Sequence, residues 1–329
     1  MSIANEITRI KNNIQNAFNK AIEKGATPPT TQNSDNLASC IESITGGSGG
    51  GTVEKGLVIN SWDSEGFATD VSIVGMVEIP NYYFYYAIYY ISDDYKSWLS
   101  NVGSNLHFPD NLTRIGENAF YYCTGLGSLN LPSSLTTIGE YAFYGCSKLA
   151  LTSLPSSLTT IGEYAFYGCS NLALTSLPNG VTRLESYTFQ NCSKLALTSL
   201  PSNLTTIGKS VFYSCTKLAL TSLPNTLTKI DLSAFYKCTS LTNIEIPCNC
   251  TIYGAGTSNG SFRGCTGLKT VTLGAPGVPY TQTNAGKYAF YSCSNIEKII
   301  IYTSTGTGTA DYFYKTSTST YHTIEFRQA

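Results

Sequence analysis

Charge is scarce in this sequence. Asp, Glu, Lys and Arg make up 12% of it, about half of the usual share of roughly a quarter, and they balance to a net charge of −1. Such a chain carries no electrostatic footprint for nucleic acid or for an anionic membrane surface. Histidine is nearly missing: His107 and His322 are the only two. They fall at opposite ends of a long repeat array, which excludes a Ser-His-Asp or Cys-His centre on the repeats. No GxGxxG opens a helix, and neither a GxxxxGK phosphate loop nor HExxH occurs. No run of about 18 apolar residues is present, so no helical membrane span is expected. The opening MSIANEITRI has neither a basic n-region nor an apolar h-region, which predicts no secretory signal. The expectation is a chain with no cofactor, no metal site and no catalytic residues.

What the sequence does have is repetition. The stretch LPSSLTTIGEYAFYGCSKLALTS starts at Leu131 and restarts, with substitutions, at Leu154, Leu177, Leu200 and Leu223. Prolines at 132, 155, 178, 201, 224 and 247, and cysteines at 123, 146, 169, 192, 215 and 238, both step by 23 residues. A constant period in the 20s marks a solenoid, in which no coil can bury its apolar side without neighbours. The predicted fold is a leucine-rich-repeat solenoid of short parallel β-strands and turns.

Within one repeat the inward set reads Leu135, Ile138, Ala142, Phe143, Cys146, Leu149 and Leu154, with Gly139 and Gly145 turning the chain. Stacked thiols would sit near a bridging distance, but their side chains should run parallel into the core, so the column reads as small buried hydrophobes. Cys265 and Cys293 fill the same slot in longer repeats, whereas Cys248 and Cys250, in CNC, lack the partners a zinc site needs. Leu126, Leu129 and Leu131 follow a strand pattern L-x-x-L-x-L, repeated by Leu241, Ile244 and Ile246. The repeats between them move the middle leucine one place earlier, to Leu151, Leu174, Leu197 and Leu220. A one-residue shift reverses the face of a strand, which predicts either a local bulge or an outward leucine stripe.

The rest of the chain divides by composition. Residues 1–45 form a helical head: Ile3, Ile7, Ile10, Ile14, Ala17 and Ala21 make an a/d seam over residues 3–24, and Ile at both positions favours a coiled-coil trimer. The alternative is an amphipathic helix packed on its own chain. A second short helix is predicted over 35–44, and the glycine-rich 46–52 is a linker. Residues 53–105 read as an N-terminal cap and first degenerate repeat, in which YYFYYAIYY (82–90) would close the apolar end of the stack. Residues 106–247 hold the regular repeats. Residues 248–329 hold longer ones and a C-terminal cap, with turn-rich insertions at 253–261 and 274–286.

Two columns are outward by pattern and rich in tyrosine: Tyr141, Tyr164 and Tyr187, and beside them Tyr121, Tyr144, Tyr167, Gln190, Tyr213 and Tyr236. Rigid rings with hydrogen-bonding tips suit both sugar stacking and protein hot spots. Packing along one another as a stabilising ladder is the alternative. Glu117, Glu140 and Glu163 would stack ~5 Å apart, within glycosidase range, yet their column continues as Ser186, Lys209 and Leu232, which reads as a solvated face.

The unit L-P-x-x-L-T-x-I-G-x-x-A-F-x-x-C-x-x-L, as in Leu131 to Leu149, resembles the BspA-type bacterial leucine-rich repeat over roughly Val71 to Phe326. That resemblance implies a right-handed solenoid with a parallel sheet, and a surface adhesin that binds host or matrix proteins. The head, IANEITRIKNNIQNAF with KGAT and NSDNLASCIESI, resembles the N-terminal module of tail proteins of phages of gut Firmicutes. This second resemblance implies a homotrimeric receptor-binding tail protein. Its expected partners are a tail or baseplate protein through the head and a bacterial surface glycan or protein through the solenoid. The particle would be assembled in the host cytoplasm and released by lysis.

Overall fold

The computed structural model describes residues 56–62, 68–79, 105–254, 256–281, 286–307, 313–317 and 320–329. The heptad seam Ile3 to Ala21, the second helix, the glycine linker and the aromatic run 82–90 lie outside the described residues. Among the described residues no helix occurs, and the fold is a parallel β-solenoid. The chain divides after Ala150 into two units.

In the first unit, Gly56–Trp62 and Ala68–Val74 form an antiparallel hairpin, and Val71 and Ser72 pair in parallel with Leu106 and His107. Glu78–Ile79, Arg114–Ile115 and Thr137–Ile138 then stack as a ladder of two-residue parallel strands. The second residue of each is buried and the first is not. The second unit repeats this ladder with Arg183–Leu184, Thr206–Ile207, Lys229–Ile230 and Thr251–Ile252. It adds a longer parallel sheet of Asn243–Ile246, Thr270–Leu273, Lys298–Thr303 and Ile324–Gln328.

The core of every coil is one phenylalanine. Phe120 and Phe143 in the first unit, and Phe166, Phe189, Phe212, Phe235, Phe262 and Phe290 in the second, are fully buried. They stack almost flat: the Phe120 and Phe143 centroids are 5.1 Å apart, and those of Phe235 and Phe262 are 4.7 Å apart. Each such pair adds about 0.5–1.5 kcal/mol to what burial of the rings gives. The predicted inward residues Leu135, Ile138, Ala142, Phe143, Cys146 and Leu149 are all fully buried, while Leu154 is only half-buried.

The shifted leucines take one of their two expected outcomes. Leu151, Leu174, Leu197 and Leu220 form no outward stripe: they are buried, at 0–4% exposure. Leu149 and Leu151 both point inward, the chain then bends at Thr152, and Leu154 resumes the inward series after the extra residue. The shift is thus absorbed by a bulge rather than by reversing the strand. Neighbouring bulged coils keep a backbone bond just before the bend, as from Ala196 N to the Leu174 oxygen at 3.2 Å. Coils with the unbroken spacing Leu241, Ile244, Ile246 and Leu268, Val271, Leu273 pair over four residues instead. Gly139 opens the next turn, its oxygen accepting from Ala142 N at 3.4 Å. A Cβ there would meet Glu117 N and Gly116 C of the preceding coil at 2.7 Å, so glycine is required by close approach of two backbones. Gly145, with φ +71°, turns the chain.

The scarcity of charge is made up by hydroxyls. Ser134 Oγ donates to the Asp110 and Leu112 oxygens, and Thr226 Oγ1 to those of Ser202 and Leu204, each a coil earlier. Corner carbonyls that water or ions would otherwise satisfy are thereby met within the stack.

Candidate binding face

The tyrosine columns flank the phenylalanine stack, in a stretch where the backbone alternates between right- and left-handed residues. Asn118, Tyr141, Tyr164, Tyr187, Ser210 and Ser233 all have φ of 52–62°. Left-handed φ in residues other than glycine costs roughly 1–2 kcal/mol each. What it gains is a uniform hydrogen-bond direction: Asn118, Phe120 and Tyr122 N–H groups donate to the Glu140, Ala142 and Tyr144 oxygens of the next coil at 2.6–2.9 Å. In the second unit Tyr187, Phe189 and Asn191 do the same to Lys209, Val211 and Tyr213.

Tyr121, Tyr141 and Tyr144 in the first unit, and Tyr164, Tyr167, Tyr187, Gln190, Tyr213 and Tyr236 in the second, are all half-buried. In the first unit Tyr121 and Tyr144 stack at 4.9 Å, and Tyr141 packs tilted on Tyr144 at 5.8 Å. In the second, Tyr164 stacks on Tyr187 at 4.4 Å and Tyr213 on Tyr236 at 4.2 Å. Tyr164 is also tilted on Tyr167 at 5.9 Å. Gln190 takes the place of a tyrosine, and its Oε1 is buried without a hydrogen-bond partner. The packing is that of the stabilising ladder, and within each unit it leaves the rings half-exposed.

Two residues on this face escaped the sequence reading. Arg263 stands two places before Cys265, as Tyr144 stands before Cys146, and so belongs to the tyrosine column. Counting back from each cysteine finds it; the change of residue type hides it. Its guanidinium carbon lies 5.1 Å from the Tyr236 ring centre and 5.8 Å from that of Tyr291, and Nη1 donates to the Tyr236 hydroxyl at 2.7 Å. Lys237, next to it, holds Nζ 5.3 Å from the Tyr236 ring. Burial works to raise the Tyr236 phenol, but the charges of Arg263 and Lys237 outweigh it and hold the phenol below its ordinary value. Burial and the neighbouring Tyr236 push Tyr213 the other way.

The repeats match the family described as the BspA type leucine rich repeat region, in six copies over residues 95–219, 160–273 and 257–327. The chain belongs to this family. Among solved structures, it is similar to a leucine-rich repeat protein from Bacteroides ovatus, at 22% identity and a TM-score of 0.51, over 84% of this chain and 76% of that one. A leucine rich cell surface protein from Faecalibacterium prausnitzii is similar at 19% identity and a TM-score of 0.38, over 74% and 86%. A leucine rich repeat protein of T. pallidum follows at 22% and 0.34, over 65% and 80%. Comparison with curated proteins gives no match. The likeness to the first structure is one of fold.

The matched family is a repeat scaffold, not a catalytic one, and the BspA-type coils here offer little to a small substrate. Where bulged coils give way to unbroken ones, a shallow groove of about 570 Å³ opens between Leu223, Pro224, Glu245, Pro247, Ala275 and Val278. It holds no histidine. Glu117 Oε1 accepts a hydrogen bond from Asn118 Nδ2 at 3.0 Å. Among the described residues no cluster of metal-ligating side chains occurs. The buried His322 spends Nε2 on the Phe290 oxygen at 3.1 Å.

Proposed function

We propose that this chain is a non-enzymatic receptor-binding protein of the tail tip of a phage or phage-like particle, attaching to a bacterial surface glycan or protein through its solenoid. The observation that carries the attachment role is the tyrosine row. Its rings are fixed in place by stacking, so little side-chain freedom remains to be lost when their hydroxyls and edges engage a receptor. The placement on a virion rests on the resemblance of residues 3–44 to phage tail modules. The seam Ile3, Ile7, Ile10, Ile14, Ala17 and Ala21 makes the protein a homotrimer in this reading, with a tail or baseplate protein as its second partner.

Labelled full-length protein is expected to coat cells of a susceptible strain, and to lose most of that binding when Tyr144, Tyr167 and Tyr213 are replaced by Ala. Unchanged coating by the triple variant sinks the assignment of the face. Light scattering should give three chains per particle, and a monomer would remove the trimer.

Family membership favours a second reading, a BspA-type adhesin of the bacterial surface that binds host or matrix proteins. Gene context separates the two: tail genes around the locus support the first, and their absence the second.

A further inference from the structure

Along the second unit the aromatic face changes its charge. The column that holds Glu163 continues with Ser186, Lys209, Leu232 and, at the matching places before Cys265 and Cys293, Asn259 and Lys287. Nearer the cysteines stand Lys237, one place before Cys238, and Arg263, two places before Cys265. Each of three cations is laid on a ring: Lys209 Nζ is 5.5 Å from the Tyr187 centre, Lys237 Nζ is 5.3 Å from that of Tyr236, and the Arg263 guanidinium lies between Tyr236 and Tyr291.

Four other cations of this unit are ion-paired. Lys229 is 2.9 Å from Asp231, Arg183 is 3.3 Å from Glu185, and Lys298 and Arg327 share Glu325 at 3.4 and 2.6 Å. Lys209, Lys237 and Arg263 have no carboxylate within ion-pair distance among the described residues. In a chain with so few charges, these three cations stand against rings without an ion-pair contact, although Asp231 acts on Lys209 from farther off. Arg263 has a protein acceptor for one of its five N–H donors, through Nη1. Its plane is fixed by the rings, which lowers the entropy lost when a bidentate anion docks.

The chemistry around these cations narrows the partner. The Tyr187 phenol bonds Lys209 and the Tyr236 hydroxyl accepts from Arg263, so a ligand meets these cations among hydroxyls. Successive coils advance by about 4.8 Å, so the cations mark several steps of a linear ligand lying along the solenoid. We propose that Lys209, Lys237 and Arg263, seated on Tyr187, Tyr236 and Tyr291, form a binding strip for an anionic polysaccharide, with carboxylate or phosphate groups as the recognised charges. This rests on the receptor-binding reading and names the receptor's class.

The test is calorimetry on the full chain with pentagalacturonate, poly(glycerol phosphate) and neutral maltopentaose. One or both anionic ligands should bind and maltopentaose should not, and which polymer binds identifies the recognised group. Affinity should fall as salt rises, and Arg263→Gln and Lys237→Gln should each lower it on the order of tenfold. Tyr236→Phe, which keeps the ring under both cations, should retain most of it, and circular dichroism checks that each variant folds. Equal binding of maltopentaose, or unchanged affinity in both glutamine variants, overturns the proposal. Coating of cells without affinity for either polymer overturns the strip while leaving the receptor-binding reading in place. Affinity for a polymer without coating of cells supports the strip and removes that reading.

Discussion

The thiol of Cys238 donates a hydrogen bond to the carbonyl oxygen of Phe212, 3.0 Å away and 26 residues back in the chain. Cys146 and Phe120, Cys192 and Phe166, Cys215 and Phe189, Cys265 and Phe235, and Cys293 and Phe262 are joined in the same way at 2.9–3.1 Å. The slot thus asks for a small apolar residue that can still donate to the coil before it. Alanine fills most of the space but gives nothing to the carbonyl. Cys215→Ala should cost about 1–2 kcal/mol, seen as a lower urea midpoint at unchanged slope.

The same column is chemically silent in the folded protein. Burial pushes up the thiols of Cys123, Cys192, Cys215, Cys238, Cys265 and Cys293, and that of Cys250 to about 12, so the nucleophilic thiolate is withheld. Cys248 is only half-buried. Peptide mapping after brief iodoacetamide treatment at pH 8 should find Cys248 modified first among the described thiols, and the rest only in denaturant.

His322 gives the last coils a dependence on pH. Burial lowers its pKa below the ordinary 6.5, against the opposing bond to the Phe290 oxygen and with help from Lys315. A depressed histidine takes up its proton more readily in the unfolded chain, so stability is kept above pH 6.5 and lost as pH falls from there through the folded pKa. Hydrogen-exchange protection of residues 320–329, corrected for the slower intrinsic exchange in acid, should fall on going from pH 7.5 to pH 5, and His322→Gln should flatten that change.

Lys237 sits at φ 56°, in the position where Gly145, Gly168 and Gly264 adopt 71–72°. Glycine there removes a left-handed strain of about 1 kcal/mol. Lys237→Gly should therefore raise the melting temperature while weakening the binding of pentagalacturonate or poly(glycerol phosphate). A variant that gains stability and keeps affinity would show that the lysine serves neither role.

Regular spacing made most of the fold legible. The 23-residue step places Phe143, Cys146 and Leu149 inward, because a buried stack tolerates no slip. It leaves Leu151 between a bulge and an outward stripe, because the two-residue alternation of side chains holds only for extended backbone, and Thr152 is a bend. The left-handed column was invisible because tyrosine, unlike glycine or asparagine, does not announce positive φ. On the candidate face, the tyrosines were found by their own abundance. Arg263 was missed because it shares only its distance from Cys265 with them.

The two leucine spacings set a rule for how this gene can change. The bulged coils of Leu174, Leu197 and Leu220 bond in series and the unbroken coils of Ile244 and Val271 pair with each other, while the junction of these two tracts at Ser222 and Glu245 is a single bridge beside an open groove. Unequal recombination between near-identical repeats can therefore lengthen or shorten either tract by whole coils without disturbing the other. The number of rings and cations on this face is in this sense a variable that heredity can adjust one coil at a time.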